Sequence, residues 1–314
     1  MLRSNAPLLR EAGIHYPEYR DPARAARANG NHSPAVQQSP GQTSLWSDLS
    51  AMLDLSSDCK RLLISAEDFA RPTQLEKLTD RLRDEAPEVP VLFVVYLRRY
   101  DQLLESACAQ SVRGKYFGPI TDCGYNMEFR AVLQRIISQH GQRSLVIRPY
   151  NRKLWPEGSL ARGFMDTLGL RELWDRGRVD TSAVVNKSLP RVQTHILSCL
   201  TSPQAKRAML DYFKLKPPEI ADRPGRYFYP PAERRKINRQ FLEGDRSLLA
   251  QLGIADPEAF LDSESFPDAE DWTPFQPGHA ALSHYLAEFI DWRLTPPLPP
   301  VKPEAPKAQP PAPD

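Results

Sequence analysis

The segment Val89 to Leu97 is the strongest strand signal in the chain, an apolar run that ends abruptly on Arg98 and Arg99. A guanidinium is costly to bury without an anionic partner, so this junction is either a solvated corner of a sheet or a place where negative charge is held. Two more short apolar runs read as strands, Leu62 to Ile64 and the stretch SLVIRPY at 144 to 150. Helical patterns lie between them. Leu45, Trp46, Leu49, Met52 and Leu53 recur at helical spacing, and PTQLEKLTDRLRDEA leads into the strong strand. After it, Leu103, Leu104, Ala107, Cys108 and Val112 form one apolar face, and Met127 to His140 reads as a further helix. Strands separated by helices of this length predict an α/β fold of three layers, a parallel sheet flanked by helices.

The ends of the chain read differently. The opening stretch MLRSNAPLLREAG is a helix terminated by Gly13, and Pro22 to Gly41 is polar and reads as a mobile loop. The second half is mostly helical, through SLPRVQTHILSCL, PPAERRKINRQFLEGDRSLLAQLG and HAALSHYLAEFIDWRL, while the Pro- and Arg-rich segment Lys216 to Tyr229 fits no element. From Thr295 onward the chain holds nine of its 31 prolines and little that packs. Residues 1–294 are therefore expected as a single domain and 295–314 as a disordered or extended tail.

Bulk properties narrow the function. With 314 residues, 41% hydrophobic, the chain can bury a full core. Its 41 basic and 39 acidic residues leave a formal charge of +2, too little for the global field of a nucleic-acid or acidic-membrane binder. Any anion must be met by local groups. Cys59, Cys108, Cys123 and Cys199 are scattered, with no paired spacing and no histidine at metal distance, so neither zinc nor a disulfide framework is expected. No apolar run approaches a membrane span and the start lacks the sections of a signal peptide, which predicts a cytoplasmic protein.

If Val89 to Leu97 is a central parallel strand, Arg98 and Arg99 emerge at its carboxyl end, where open α/β sheets bind ligands. The helix that follows carries Gln102, Ser106, Gln110 and Arg113 along its polar side. A guanidinium and a hydroxyl at such a corner make a phosphate clamp, since arginine offers planar bidentate donors and serine a neutral one. The alternative is a solvated corner.

The stretch VVYLRRYDQLLESACAQ, with Arg98 and Ser106 eight residues apart, resembles the strand-to-helix segment of the sulfotransferases. In that family such a pair binds the 3′-phosphate of the donor 3′-phosphoadenosine 5′-phosphosulfate (PAPS). Further stretches are similar, in the same order, to the bacterial carbohydrate-type branch: GIHYP at 13 to 17, LLISAEDF at 62 to 69, LVIRPYNR at 145 to 152, FMDTLGL at 164 to 170 and NKSLP at 186 to 190. The resemblance spans roughly residues 1 to 255. It implies a P-loop-type sulfotransferase fold, PAPS as cofactor without a metal, and a hydroxyl or amine of a carbohydrate or similar small molecule as acceptor. Glu67 falls where the resemblance places the catalytic base, with Asp68 its neighbour; Gly225 and Arg226 resemble a late loop that closes over the nucleotide.

One departure stands out. The family holds the 5′-phosphosulfate in a glycine-rich loop resembling Lys-Thr-Gly-Thr-Thr, which works because backbone N–H groups at a helix N-terminus complement phosphate charge. Here no glycine is followed by lysine and then serine or threonine, and Gly114 with Lys115 runs into Tyr116. The expectation is a chain lacking its first strand and phosphate loop, with apolar sheet edges exposed as a result. That leaves two function classes, a sulfotransferase and a non-catalytic nucleotide-binding remnant. A kinase of similar layering is disfavoured by the absence of a Walker lysine and of an evident magnesium-binding aspartate. Other candidates have plain alternatives: Arg148 meets a substrate anion or a surface acid, and Asn186 and Ser188 cap the next helix. Gly225 and Arg226 are otherwise a surface turn, and Glu67 a solvated carboxylate. His279 and His284 diverge on a helix, against a metal role.

Overall fold

A computed structural model describes residues 1–28, 32–39, 41–55, 58–114, 123, 129–181, 189–215, 228–266 and 279–294. The chain is mixed α/β and mostly helical, with two small parallel sheets. In order, the first half comprises α1 (Ala6–Glu11), β1 (Ile14–His15), α2 (Pro22–Ala28), α3 (Ser33–Val36), α4 (Leu45–Met52), β2 (Arg61–Leu62), α5 (Pro72–Glu85), β3 (Phe93–Leu97), α6 (Tyr100–Arg113), α7 (Phe129–His140) and β4 (Leu145–Pro149). The remaining elements are helices: α8 (Leu160–Thr167), α9 (Arg171–Asp175), α10 (Arg191–Cys199), α11 (Pro203–Leu215), α12 (Pro231–Gln251), α13 (Pro257–Leu261) and α14 (His279–Leu294).

The expected parallel pairing with helical crossovers is present, but not as one sheet. β1 pairs with β2 and β3 with β4, each pair parallel, and among the described residues no ladder joins the pairs. β3 is also shorter than the apolar run that encodes it. Val89 N–H closes a turn on the Ala86 carbonyl after α5, and Pro90 has no N–H to give a ladder. Pairing therefore begins at Phe93, opposite Leu145.

Pro22 to Gly41 is not a simple loop. Its alanine-rich start forms α2, with Pro22 in the first turn and the Asp21 carboxylate accepting the Ala23 N–H at 2.9 Å. Ala25, Ala35 and Val36 are buried against Leu45, Leu49 and Leu53 of the α4 region and Leu78 and Leu82 of α5. The buried His32 fastens this segment to the chain after β2. It accepts the Ser65 N–H at Nδ1 (2.9 Å) and lies 3.1 Å from the Pro17 carbonyl through Nε2, and burial lowers its pKa to about 4.

The cores are built by helices on short strands. Leu97, Val95, Leu145 and Ile147 pack with Tyr100, Leu133, Ile237 and Leu249, while Leu9, Ile14, Met165 and Leu170 form a second cluster beneath β1. α4 is locked to α5 by a charge rather than by leucine alone. Arg81 is fully buried, pairs with Asp48 at 2.9 Å and Glu85 at 3.0 Å, and donates to the Thr43 carbonyl at 2.9 Å. Removing one partner of a buried pair strands the other charge in a dry site. Arg81→Met is expected to lower stability by about 3–5 kcal/mol, read from the urea midpoint at unchanged m-value.

Candidate functional site

The two arginines after β3 part company. Arg99 turns inward, 4% exposed, and meets Asp101 through Nε (2.6 Å) and Nη2 (3.1 Å). It also donates to the carbonyls of Asp262 (3.2 Å) and Ser265. Arg234 of α12 reaches the same carboxylate, Nε to Oδ2 at 2.8 Å, and the Asn238 side chain accepts the Asp101 N–H at 3.0 Å. The Phe266 ring lies under both guanidiniums at 4.8 Å. The anion that Arg99 needs is thus in the chain itself.

Arg98 is different. Its Nε points to Gln102 Oε1 at a long 3.4 Å and its guanidinium lies over the Tyr150 ring at 5.4 Å. Among the described residues it has no acidic partner. One helical turn beyond Gln102 is Ser106, half-buried and without a side-chain hydrogen bond among the described residues. A turn further, Gln110 Nε2 donates to Glu67 Oε1 at 3.2 Å. Arg113 ends the row: its Nε is buried without a hydrogen-bond partner among the described residues, and burial lowers its pKa. The spacing seen in the sequence is therefore a ridge running from the end of β3 along α6, with guanidinium donors at both ends and between them a hydroxyl that has no side-chain hydrogen bond among the described residues.

Glu67 stands at this ridge but far along it. It is exposed, in the 3-10 turn Glu67–Ala70, and touches the helix about three turns from the Arg98 end. Asp68 is committed elsewhere, accepting the Ser33 hydroxyl at 3.0 Å and pairing with Arg71 at 3.3 Å. Arg148 is not part of the ridge. Opposite Tyr96 in the β3–β4 register, it donates from Nε to Thr167 of α8 at 3.1 Å. It lines a separate open cleft of about 640 Å³ along β4, with Ile147, Leu154, Ile254 and Phe260.

Gly225, Arg226, Asn186 and Ser188 lie outside the described residues. Tyr229, three residues after Arg226, donates its N–H to Glu105 at 2.8 Å, and Glu105 is the neighbour of Ser106 on α6. Tyr150 is the last residue of SLVIRPY, read there only as part of a strand; the pairing of β4 with β3 shows that its ring lies beneath Arg98. The burial of Arg113 had no signal at all, since helical spacing alone puts it on the polar side.

Comparison of the chain with models of known protein families, with curated proteins and with solved structures found no match. Among the described residues no helix is long and apolar enough to cross a membrane, and no group of three or more His, Cys, Asp or Glu is placed to hold a metal ion.

Glu105 is the titratable group nearest the ridge hydroxyl in sequence. Burial pushes its pKa up to about 8, against the opposing pull of the Tyr229 N–H and Arg234. A carboxyl that keeps its proton in the folded state but loses it in the unfolded state makes stability fall as pH rises, from the ordinary carboxylate range up to about pH 8. Between about pH 7 and about pH 8 the buried His32 is neutral in the folded state and largely so in the unfolded, so it contributes little there. The melting temperature should drop across that interval, and Glu105→Gln should show a smaller drop; an identical drop in both proteins would show that Glu105 is already ionised.

Proposed function

We propose that the Arg98–Ser106 ridge binds the phosphate of a 3′-phosphoadenosine nucleotide, and that the protein is sulfotransferase-like, of the three-layer P-loop kind. In this reading it transfers a sulfuryl group from PAPS to a hydroxyl or amine of a carbohydrate or similar small acceptor. The observation that carries it is the unequal fate of the two arginines: Arg99 is neutralised by Asp101, whereas Arg98 has no acid among the described residues and faces the ridge that holds Ser106. A guanidinium over an aromatic ring, near a hydroxyl without a hydrogen-bond partner among the described residues, offers the planar and neutral donors a phosphate takes.

In this reading Arg98 and Ser106 would take the 3′-phosphate end of PAPS. The sulfuryl end has no assigned partner in these 314 residues, because no glycine is followed by lysine and then serine or threonine. When bound, the donor would supply an activated sulfuryl group. This chain's part would be to position its nucleotide and, through Glu67, to take the proton of the acceptor hydroxyl. The same missing loop favours a second reading, nucleotide binding without transfer.

Calorimetric titration with 3′-phosphoadenosine 5′-phosphate tests the binding claim. Arg98→Ala should weaken binding tenfold or more, about 1.4 kcal/mol, and Ser106→Ala by about 1 kcal/mol, while adenosine 5′-monophosphate should bind no better to the wild type than to Arg98→Ala. No binding by the wild type would remove the whole reading. Transfer is tested with PAPS and sugar hydroxyl and amine acceptors. A loss of about 10²-fold or more in Glu67→Gln supports the base, unchanged turnover refutes it, and binding without turnover selects the second reading.

A further inference from the structure

We infer that Cys108 and Cys123 are an oxidation site, a thiol pair that a peroxide converts into a disulfide joining α6 to the chain beyond it. This stands on the packing of the two sulfurs and does not depend on what the α6 ridge binds.

Both thiols are buried in a small cluster of their own. Cys108 has no exposure and Cys123 is 6% exposed, with Leu104, Ala109 and Phe228 packed around them. Cys108 stands one helical turn after Leu104, so α6 turns both toward this cluster. The Cys108 Sγ donates to the Cys123 carbonyl at 3.1 Å, and the two thiols are within hydrogen-bond reach of each other. A disulfide brings its sulfurs to about 2.05 Å, a short approach from such a contact. The other two cysteines have different neighbours: Cys59 donates to the Arg10 carbonyl at 3.8 Å, and Cys199 lies 3.7 Å from His195 Nε2. Spacing could not reveal the pair, because residues 15 apart, one inside a helix and one beyond its end, match no cysteine motif.

Burial alone would make these two inert packing residues. What sets them apart is that each sulfur has a second oxidisable sulfur against it, and that their surroundings give them unequal roles. Burial, with the Cys123 thiol and the Glu105 carboxyl alongside, raises the pKa of Cys108 and keeps its proton in place. Cys123 is the more exposed of the two and meets the oxidant first. Its thiolate attacks one peroxide oxygen and the O–O bond breaks. Cys123 becomes a sulfenic acid, and the departing hydroxide takes up a proton to give water. The Cys108 sulfur then attacks the Cys123 sulfur and the S–O bond breaks, its thiol proton leaving with the hydroxyl as a second water. Two thiols thus give up two electrons and two protons in all, and one peroxide becomes two waters. Exchange with a dithiol reverses the bond. The oxidised chain is tied into a short ring next to the ridge, since Cys108 is two residues from Ser106 on α6.

The test is peroxide treatment of the folded full chain, alkylation of the remaining thiols in urea, and peptide mapping without reduction. Trypsin places Cys108 in peptide 100–113 and Cys123 in peptide 116–130, apart from each other and from Cys59 and Cys199. The two peptides should lose their alkylated forms together and appear as one linked species, which dithiothreitol separates. Cys108→Ser should give no link and should leave a sulfenic acid on Cys123 that dimedone labels. Three results would overturn the proposal: no linked species at a peroxide concentration that oxidises the exposed Cys199, sulfinic acid on Cys123 while Cys108 still alkylates, or links to Cys59 and Cys199 in equal amount, which would show random pairing. Dimedone labelling of Cys108 in Cys123→Ser, with none of Cys123 in Cys108→Ser, would overturn the assigned order of attack.

Discussion

The carboxylate of Asp101 is the point on which the second half of the molecule hangs. It has no exposure to solvent and sits between two buried guanidiniums, Arg99 from the end of β3 and Arg234 from α12. A lone charge there would cost several kcal/mol, and either arginine alone would be no better placed. Together they fix three things: the corner between β3 and α6, the approach of α12, and the 262–266 turn whose carbonyls Arg99 also engages. Because Arg99 is drawn inward, the adjoining Arg98 is left at the surface end of the corner, facing the polar side of α6. The candidate site is thus a by-product of a structural constraint one residue away.

Arg81 does similar service in the first half, tying α4 to α5 through Asp48 and Glu85. These buried ion pairs do not explain stability by themselves, since desolvation offsets much of their attraction. What they do is forbid alternatives: helices that slide by a turn leave a bare charge in an apolar cluster. That restriction matters in a protein whose strands are short. With two residues in each strand of the β1–β2 pair and five in each strand of the β3–β4 pair, the ladders supply little of the order, and the helices that cover them supply most of it.

The charge relevant to ligands is local. A formal net charge of +2 gives no long-range field, whereas the α6 ridge carries Arg98 and Arg113 at its ends and, among the described residues, meets an acid at Gln110, in Glu67. Placing cations on a half-buried ridge raises the cost of leaving them unpaired and so raises what an anion gains by binding. Arg148, by contrast, is hydrogen-bonded to Thr167 and lines the cleft along β4.

Periodicity in the sequence was enough to locate α4, α5, α6, α7 and α12 and the strands β3 and β4, because each has an apolar pattern set by its own backbone geometry. It also aligned Arg98, Gln102, Ser106 and Gln110, since helical spacing is local. It misjudged Pro22 to Gly41, where polar residues hide two short helices that exist only because Ala25, Ala35 and Val36 find a core to fill. The start of β3 at Phe93, the split between β2 and β3, the inward turn of Arg99 and the distance of Glu67 from Arg98 were decided by tertiary contacts. Each depends on residues far apart in the chain, Asp101 with Arg234 or Glu67 with Gln110, and no local pattern encodes which distant partner a side chain will meet.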